Sequence, residues 1–127
     1  MVDGAALRRV GIGTYALGAR ARQIRDDLMA IDQARPQDMF AVQLDDRALF
    51  LQPWQTLMLQ LLSPEAVRDR PLRAEARALV EGWGARADQD SVGYRLVSEW
   101  RLRVHDATFA ALLAPCRQRN PLPSGLG

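Results

Sequence analysis

Apolar residues return every three or four positions along most of this chain, and that rhythm restricts it to helices. Leu17, Ala21, Ile24, Leu28 and Ile31 follow one another at spacings of four, three, four and three. Such spacing lines one face of a 3.6-residue turn, and Arg22, Arg25, Asp26 and Asp32 fall largely elsewhere. No stretch alternates apolar and polar residues between two turn signals, as a half-buried strand would. The expected class is all-α, with about five helices in an irregular bundle and irregular N- and C-terminal segments.

Punctuation residues divide the pattern. Residues 1–15 contain Gly4, Gly11 and Gly13 without periodicity and are expected to be irregular. Residues 16–114 should form the helical domain. Residues 115–127, with prolines and glycines crowding the end, should be a loose tail. Pro36 suits the first turn of a second helix, where its missing N–H costs nothing, and Asp38 favours the positive end of that turn. Met39, Phe40, Val42 and Leu44 are its apolar residues. The pattern resumes over 48–62, where Pro53 should kink or restart the helix. The run Leu57, Met58, Leu59, Leu61, Leu62 is apolar on nearly every side, which predicts burial. Ser63-Pro64-Glu65 is a start signal, with Ser63 as cap. A further helix follows Pro71 with Leu72, Ala76, Leu79, Val80 and Trp83 on one stripe. It should stop at Gly82-Trp83-Gly84, where glycine allows a left-handed cap. Asp90 or Ser91 should cap the last helix, which carries Val92, Leu96, Trp100, Val104, Phe109 and Leu112 as far as Pro115.

Charge excludes several partners. All 17 basic residues are arginine and 15 are acidic, for a net charge of +2. Arg and Asp mix along the helices, which describes a solvated surface and not a phosphate-tracking stripe. No nucleic-acid role is expected. Residues 48–62, the longest apolar stretch, are interrupted by Gln52, Pro53, Gln55 and Gln60, too short and too polar to span a bilayer. No signal peptide is visible at the N-terminus. The single cysteine, Cys116, allows no internal disulfide.

The chemistry-bearing residues do not assemble into a centre. His105 is the only histidine and adjoins Asp106. Neighbours on a helix point about 100° apart, and Ser98 lies about two turns away, beyond direct contact. With one histidine and one cysteine, a zinc site would need carboxylates for most of its ligands, which is uncommon, so no metal and no cofactor is expected in this segment. Asp26-Asp27 and Asp45-Asp46 diverge on their elements and should pair with nearby arginines. The Gly11-Ile12-Gly13 run lacks the strand and helix start that a phosphate cradle needs. Trp54, Trp83 and Trp100 fit helix packing better than a base-stacking platform.

Several ordered patterns resemble the penicillin-amidase (penicillin acylase) family. Tyr15-Ala-Leu-Gly-Ala-Arg20-Ala-Arg-Gln-Ile24, followed by Leu28, is similar to a family helix that carries an Arg and, four residues later, an Ile. Asp38-Met39, then Gln43-x-Asp45, then the Leu-rich run with its proline, look like the next two helices. Leu79 to Trp83, ending at Gly84, resembles a helix closing on a Trp-Asp-Gly turn, with Gly84 standing where that turn has Asp. Asp90-Ser91-Val92-Gly93 and the long helix after it fit the following element. The order agrees over roughly residues 15–113.

The resemblance implies a helical segment of the second chain of an N-terminal-nucleophile hydrolase. Such enzymes cleave linear amide bonds of acylated small molecules, including β-lactam side chains and acyl-homoserine lactones. An N-terminal Ser attacks with its own α-amino group as base, and a backbone amide and an Asn form the oxyanion hole. The Ser-Asn start and the Asn-Asn element are not in this sequence, so no catalytic residue is expected here and the isolated chain should be inactive. One residue carries over: Arg20 matches the arginine that, in the family, supports substrate or oxyanion-side groups. The expected partner is the remainder of a parent acylase, periplasmic or secreted, and the isolated chain is expected to form a homodimer through the helices around 48–62. The competing reading is a freestanding helical interaction module. A more remote one is an independent enzyme using His105 or Cys116.

Overall fold

A computed structural model of the chain describes Arg9 and residues 18–119. The irregular segment expected over 1–15 thus lies, Arg9 apart, outside the described residues, as does the tail beyond Arg119. Among the described residues the chain is all-helical and has no strand. In order the elements are α1 (Ala19–Met29), α2 (Pro36–Leu44), a 3-10 turn (Leu49–Leu51), α3 (Gln52–Leu61), α4 (Pro64–Val67), α5 (Pro71–Glu81) and α6 (Val92–Arg119). The chain divides into two compact units, residues 1–50 and 51–127.

Local chemistry sets most of the boundaries. Pro36, Pro53, Pro64 and Pro71 each sit in the first turn of their helices, where an N–H has no helical partner to lose. The Asp38 carboxylate accepts from the Arg35 N–H at 2.9 Å. Ser63 Oγ accepts from the Ala66 N–H at 3.3 Å, and Ser91 Oγ from the Tyr94 N–H at 3.2 Å, so Ser91 is the cap of α6. The helix α5 stops at Gly82 as expected, but not through a left-handed glycine. Gly82 is right-handed, with φ −76°, and the left-handed residue in that turn is Ala85, with φ 56°. Pro115 does not end α6, which runs through it to Arg119. A proline disturbs only the turn behind it, and this turn lies at the far end of a 28-residue helix.

The second unit holds the core. There α5 packs on α6, α3 on both, and α4 on α5. Leu51, Met58, Val80, Trp83 and Val97 are buried. Trp54 meets the edge of Trp100 at 5.9 Å, and Trp83 lies 6.2 Å from Tyr94. These are helix-packing positions, as the sequence suggests. Polar groups close the helix ends inside this packing. Gln55 Nε2 donates to the Val80 carbonyl at 2.8 Å, and Arg77 Nη1 to the Leu59 and Leu62 carbonyls at 2.9 and 2.5 Å. The last carbonyls of a helix have no helical donor, and Arg77 supplies one.

The run 57–62 is not buried as expected. Only Met58 is; Leu57 and Leu61 are exposed. Within this chain α3 is covered by α5 and α6 on one side, and an all-round apolar segment leaves its far side bare. The stripe of α6 is also displaced. Gly93 and Val97 are its buried residues, while every described side chain from His105 to Cys116, including Phe109, Leu112 and Leu113, is exposed.

Candidate functional site

The first unit has no buried apolar side chain among the described residues; its one buried residue is Gln23. Arg20, Gln23 and Asp27 follow at spacings of three and four, so they share one face of α1. That face packs on α2 and the loop behind it. Ala21 and Leu28, from the apolar stripe expected to face inward, are exposed, and Ile24 and Ile31 are half-buried.

Asp45 is the centre of this contact. Arg47 donates from Nε to Oδ1 at 2.7 Å and from Nη2 to Oδ2 at 2.8 Å, and its backbone N–H reaches Oδ1 at 3.1 Å. Gln23 Nε2 donates to Oδ2. Arg20 Nη1 adds a longer bond to Oδ2 at 3.4 Å. Arg47 Nη2 also bridges to both oxygens of Asp27, at 2.7 and 2.8 Å. The Asp45 side chain is 9% exposed, and charge-assisted bonds from a two-pronged guanidinium are the strong kind.

Arg20 does more than pair with Asp45. Its Nη2 donates to the Val42 carbonyl at 2.8 Å and to that of Gln43 at 3.5 Å. A cation in the first turn of its own helix opposes that helix dipole, whereas at the C-terminal carbonyls of α2 it meets the negative end. The guanidinium therefore joins the start of α1 to the end of α2. Its Nε has no acceptor among the described residues, and the side chain is 44% exposed.

The carboxyl of Asp45 is held well below the ordinary aspartate value of 3.8, first by the hydrogen bonds of Arg47, then by those of Gln23, against an opposing desolvation. Arg47 is pushed upward for the reciprocal reason, by Asp45 and Asp27. A carboxylate depressed in the folded state contributes stability that is complete above the unfolded value and is lost as pH falls through the folded one. The ordering of α1 on α2 is thus expected to be unchanged from neutral pH down to about the ordinary value and to fail only in stronger acid. Side-chain NMR of Gln23 across an acid titration checks this; loss of its shifted amide signal near pH 5 would contradict it.

For Asp26, Asp27 and Asp45 the expected pairing with arginine is present. Asp45 and Asp27 pair with arginines as above, and Asp26 with Arg25 at 2.6 Å. His105 is exposed, bonded to Asp106 at 3.2 Å, with its ring 4.6 Å from Phe109. Cys116 is exposed. Among the described residues no group of three or more His, Cys, Asp or Glu could hold a metal ion, and no helix is long and apolar enough to cross a membrane. Gln23 and Arg47 escaped the sequence reading. The signal for Gln23 was its place between Arg20 and Asp27 on one helical face; for Arg47 it was its position two residues after Asp45.

Fold and site define an all-helical chain whose first described helix is tied by ion pairs to the loop that follows the second. Its sequence matches the family model described as Penicillin amidase over residues 3–125. The chain belongs to the penicillin amidase family. No curated protein and no solved structure matches it.

Proposed function

We propose that this chain is a helical segment of a penicillin-amidase-type acylase, an enzyme that hydrolyses linear amide bonds of acylated small molecules such as β-lactam side chains or acyl-homoserine lactones. The family match over 3–125 carries this reading. The segment frames the pocket and does not supply the nucleophile. The serine, its α-amino base and the oxyanion Asn come from the rest of the enzyme, and this segment carries no cofactor. The parent enzyme works in the periplasm or outside the cell.

Two physical observations support a role inside a larger body. The first unit turns its polar face inward and leaves Leu28, Met29, Met39, Phe40 and Leu44 exposed, the reverse of what a free helical pair does with apolar surface. The outer half of α6 exposes Phe109, Leu112 and Leu113 in the same way. A free interaction module would expose similar surface, and the family match favours the acylase. Arg20, whose Nε has no acceptor among the described residues, is suited to hold a polar group of the active-site region.

The test is an acyl-amide assay. The 127-residue chain alone is expected to be silent toward a chromogenic phenylacetyl or long-chain acyl amide. In the intact acylase Arg20→Ala should lower kcat/KM by roughly a hundredfold, the loss typical of a misplaced active-site group. Full activity of that variant would overturn the role given to Arg20.

A further inference from the structure

We infer that Asp45 is the positioning residue for Arg20: it fixes the plane of the Arg20 guanidinium so that the remaining N–H groups are held in one orientation. The inference deepens the acylase reading and, for its consequence in catalysis, rests on it. Three observations place Asp45 in this role. It is the only side chain bonded to Arg20 among the described residues; the other acceptors are the Val42 and Gln43 carbonyls. A guanidinium held by a carboxylate on one nitrogen and by helix-end carbonyls on the other cannot swing its plane about the Cδ–Nε bond without breaking both sets. Asp45 is itself immobilised. Arg47 grips both its oxygens, Gln23 takes Oδ2 from α1, and Asp27 anchors Arg47 in turn. The chain from Asp27 through Arg47 and Asp45 to Arg20 crosses from α1 to the loop and back to α1, so the contact is braced at both ends. An exposed arginine would otherwise lose rotamer freedom when it engages a ligand, and holding it in advance removes that cost.

Asp45 and Asp27 offer a matched comparison. Both are carboxylates bonded to Arg47, but only Asp45 touches Arg20. In the 127-residue chain, the guanidinium NMR signals of Arg20, assigned by their loss in Arg20→Lys, should be dispersed and restricted in wild type. They should collapse to those of a free arginine in Asp45→Asn and persist in Asp27→Asn. Free-arginine behaviour in wild type, or equal loss in both variants, would overturn the inference, whatever the enzyme does.

In the intact acylase, Asp45→Asn should lower kcat by roughly tenfold to a hundredfold with little change in KM. In the Arg20→Ala background it should cost nothing further, because it acts only through Arg20. Additive losses contradict the positioning role. If Asp45→Asn fails to fold, Arg20→Lys decides: it keeps the charge but cannot span Asp45 and the α2 carbonyls together, so full activity of that variant would refute the need for orientation. An NMR collapse in Asp45→Asn combined with an Arg20→Ala enzyme of full activity would leave the positioning intact and defeat the active-site role of Arg20 instead.

Discussion

Gly93→Ala should destabilise the second unit by about 1–3 kcal/mol, the range for forcing extra volume into a packed contact. A Cβ at this position would lie 2.6 Å from the Cβ of Trp83, 2.7 Å from the Leu79 carbonyl oxygen and 3.1 Å from Trp83 Cγ. None of these atoms is the end of a flexible side chain. One is backbone in α5, and the others belong to a buried tryptophan whose Nε1 is tied to the Arg86 carbonyl at 2.8 Å. Relief requires α6 to move off α5, which opens the contact around Val80 and Val97, both at 0% exposure. Alanine's better helix propensity returns at most about 1 kcal/mol, so the steric loss wins. The midpoint should fall by roughly 4–8 °C for each kcal/mol lost in a unit of this size. Gly84→Ala is the control, since nothing lies within 4 Å of a Cβ there. Thermal melts followed by tryptophan fluorescence read both. An unchanged midpoint in Gly93→Ala would mean that α5 and α6 do not meet this closely.

The second large effect concerns the surface of α3. The isolated chain is expected to self-associate at micromolar concentration through the helices around 48–62, as a symmetric dimer, the commonest closed arrangement. Met58 is not part of that surface, because it is buried in the chain's own core, and Trp54 is half-buried against Trp100. What remains on α3 is Leu57 and Leu61, at 40% and 60% exposure. Burying a leucine is worth about 1.5–3 kcal/mol, and in a symmetric dimer each substitution acts twice. Leu57→Asp with Leu61→Asp should therefore weaken association by at least about a hundredfold while leaving helicity unchanged. Analytical ultracentrifugation of both forms is the check. A strict monomer in the parent sequence would show that this surface is tolerated as it stands.

The class of fold and most helix starts were legible because they depend on local chemistry: a proline in a first turn, or a serine three residues before an unpaired N–H. What was not legible was which face each helix turns inward. Leu28 marks an apolar face correctly, yet periodicity does not say what covers that face, and within this chain the neighbouring face bearing Gln23 is the covered one. The same holds for Leu57 and Leu61. Family resemblance singled out Arg20 but said nothing of the ion-pair cluster it joins. The hub of that cluster was not legible, because Asp45 gains its partners from a loop closing on α1, a contact 22 to 25 residues apart in sequence. Neither glycine of the Gly82-Trp83-Gly84 turn takes the left-handed conformation, because glycine permits it without requiring it; Ala85 takes it instead.

One measurement bears most directly on the central claim that this helical segment functions inside an acylase. An antibody raised against the 127-residue chain would be used to capture the native polypeptide from source cells, and the captured material would be assayed for hydrolysis of a chromogenic acyl amide beside the isolated chain. The expected result is turnover by the captured polypeptide, which should be well above 14.2 kDa in mass, and none by the isolated chain. Capture of a 14.2 kDa species without activity, or turnover by the isolated chain that disappears with His105→Ala, would contradict it.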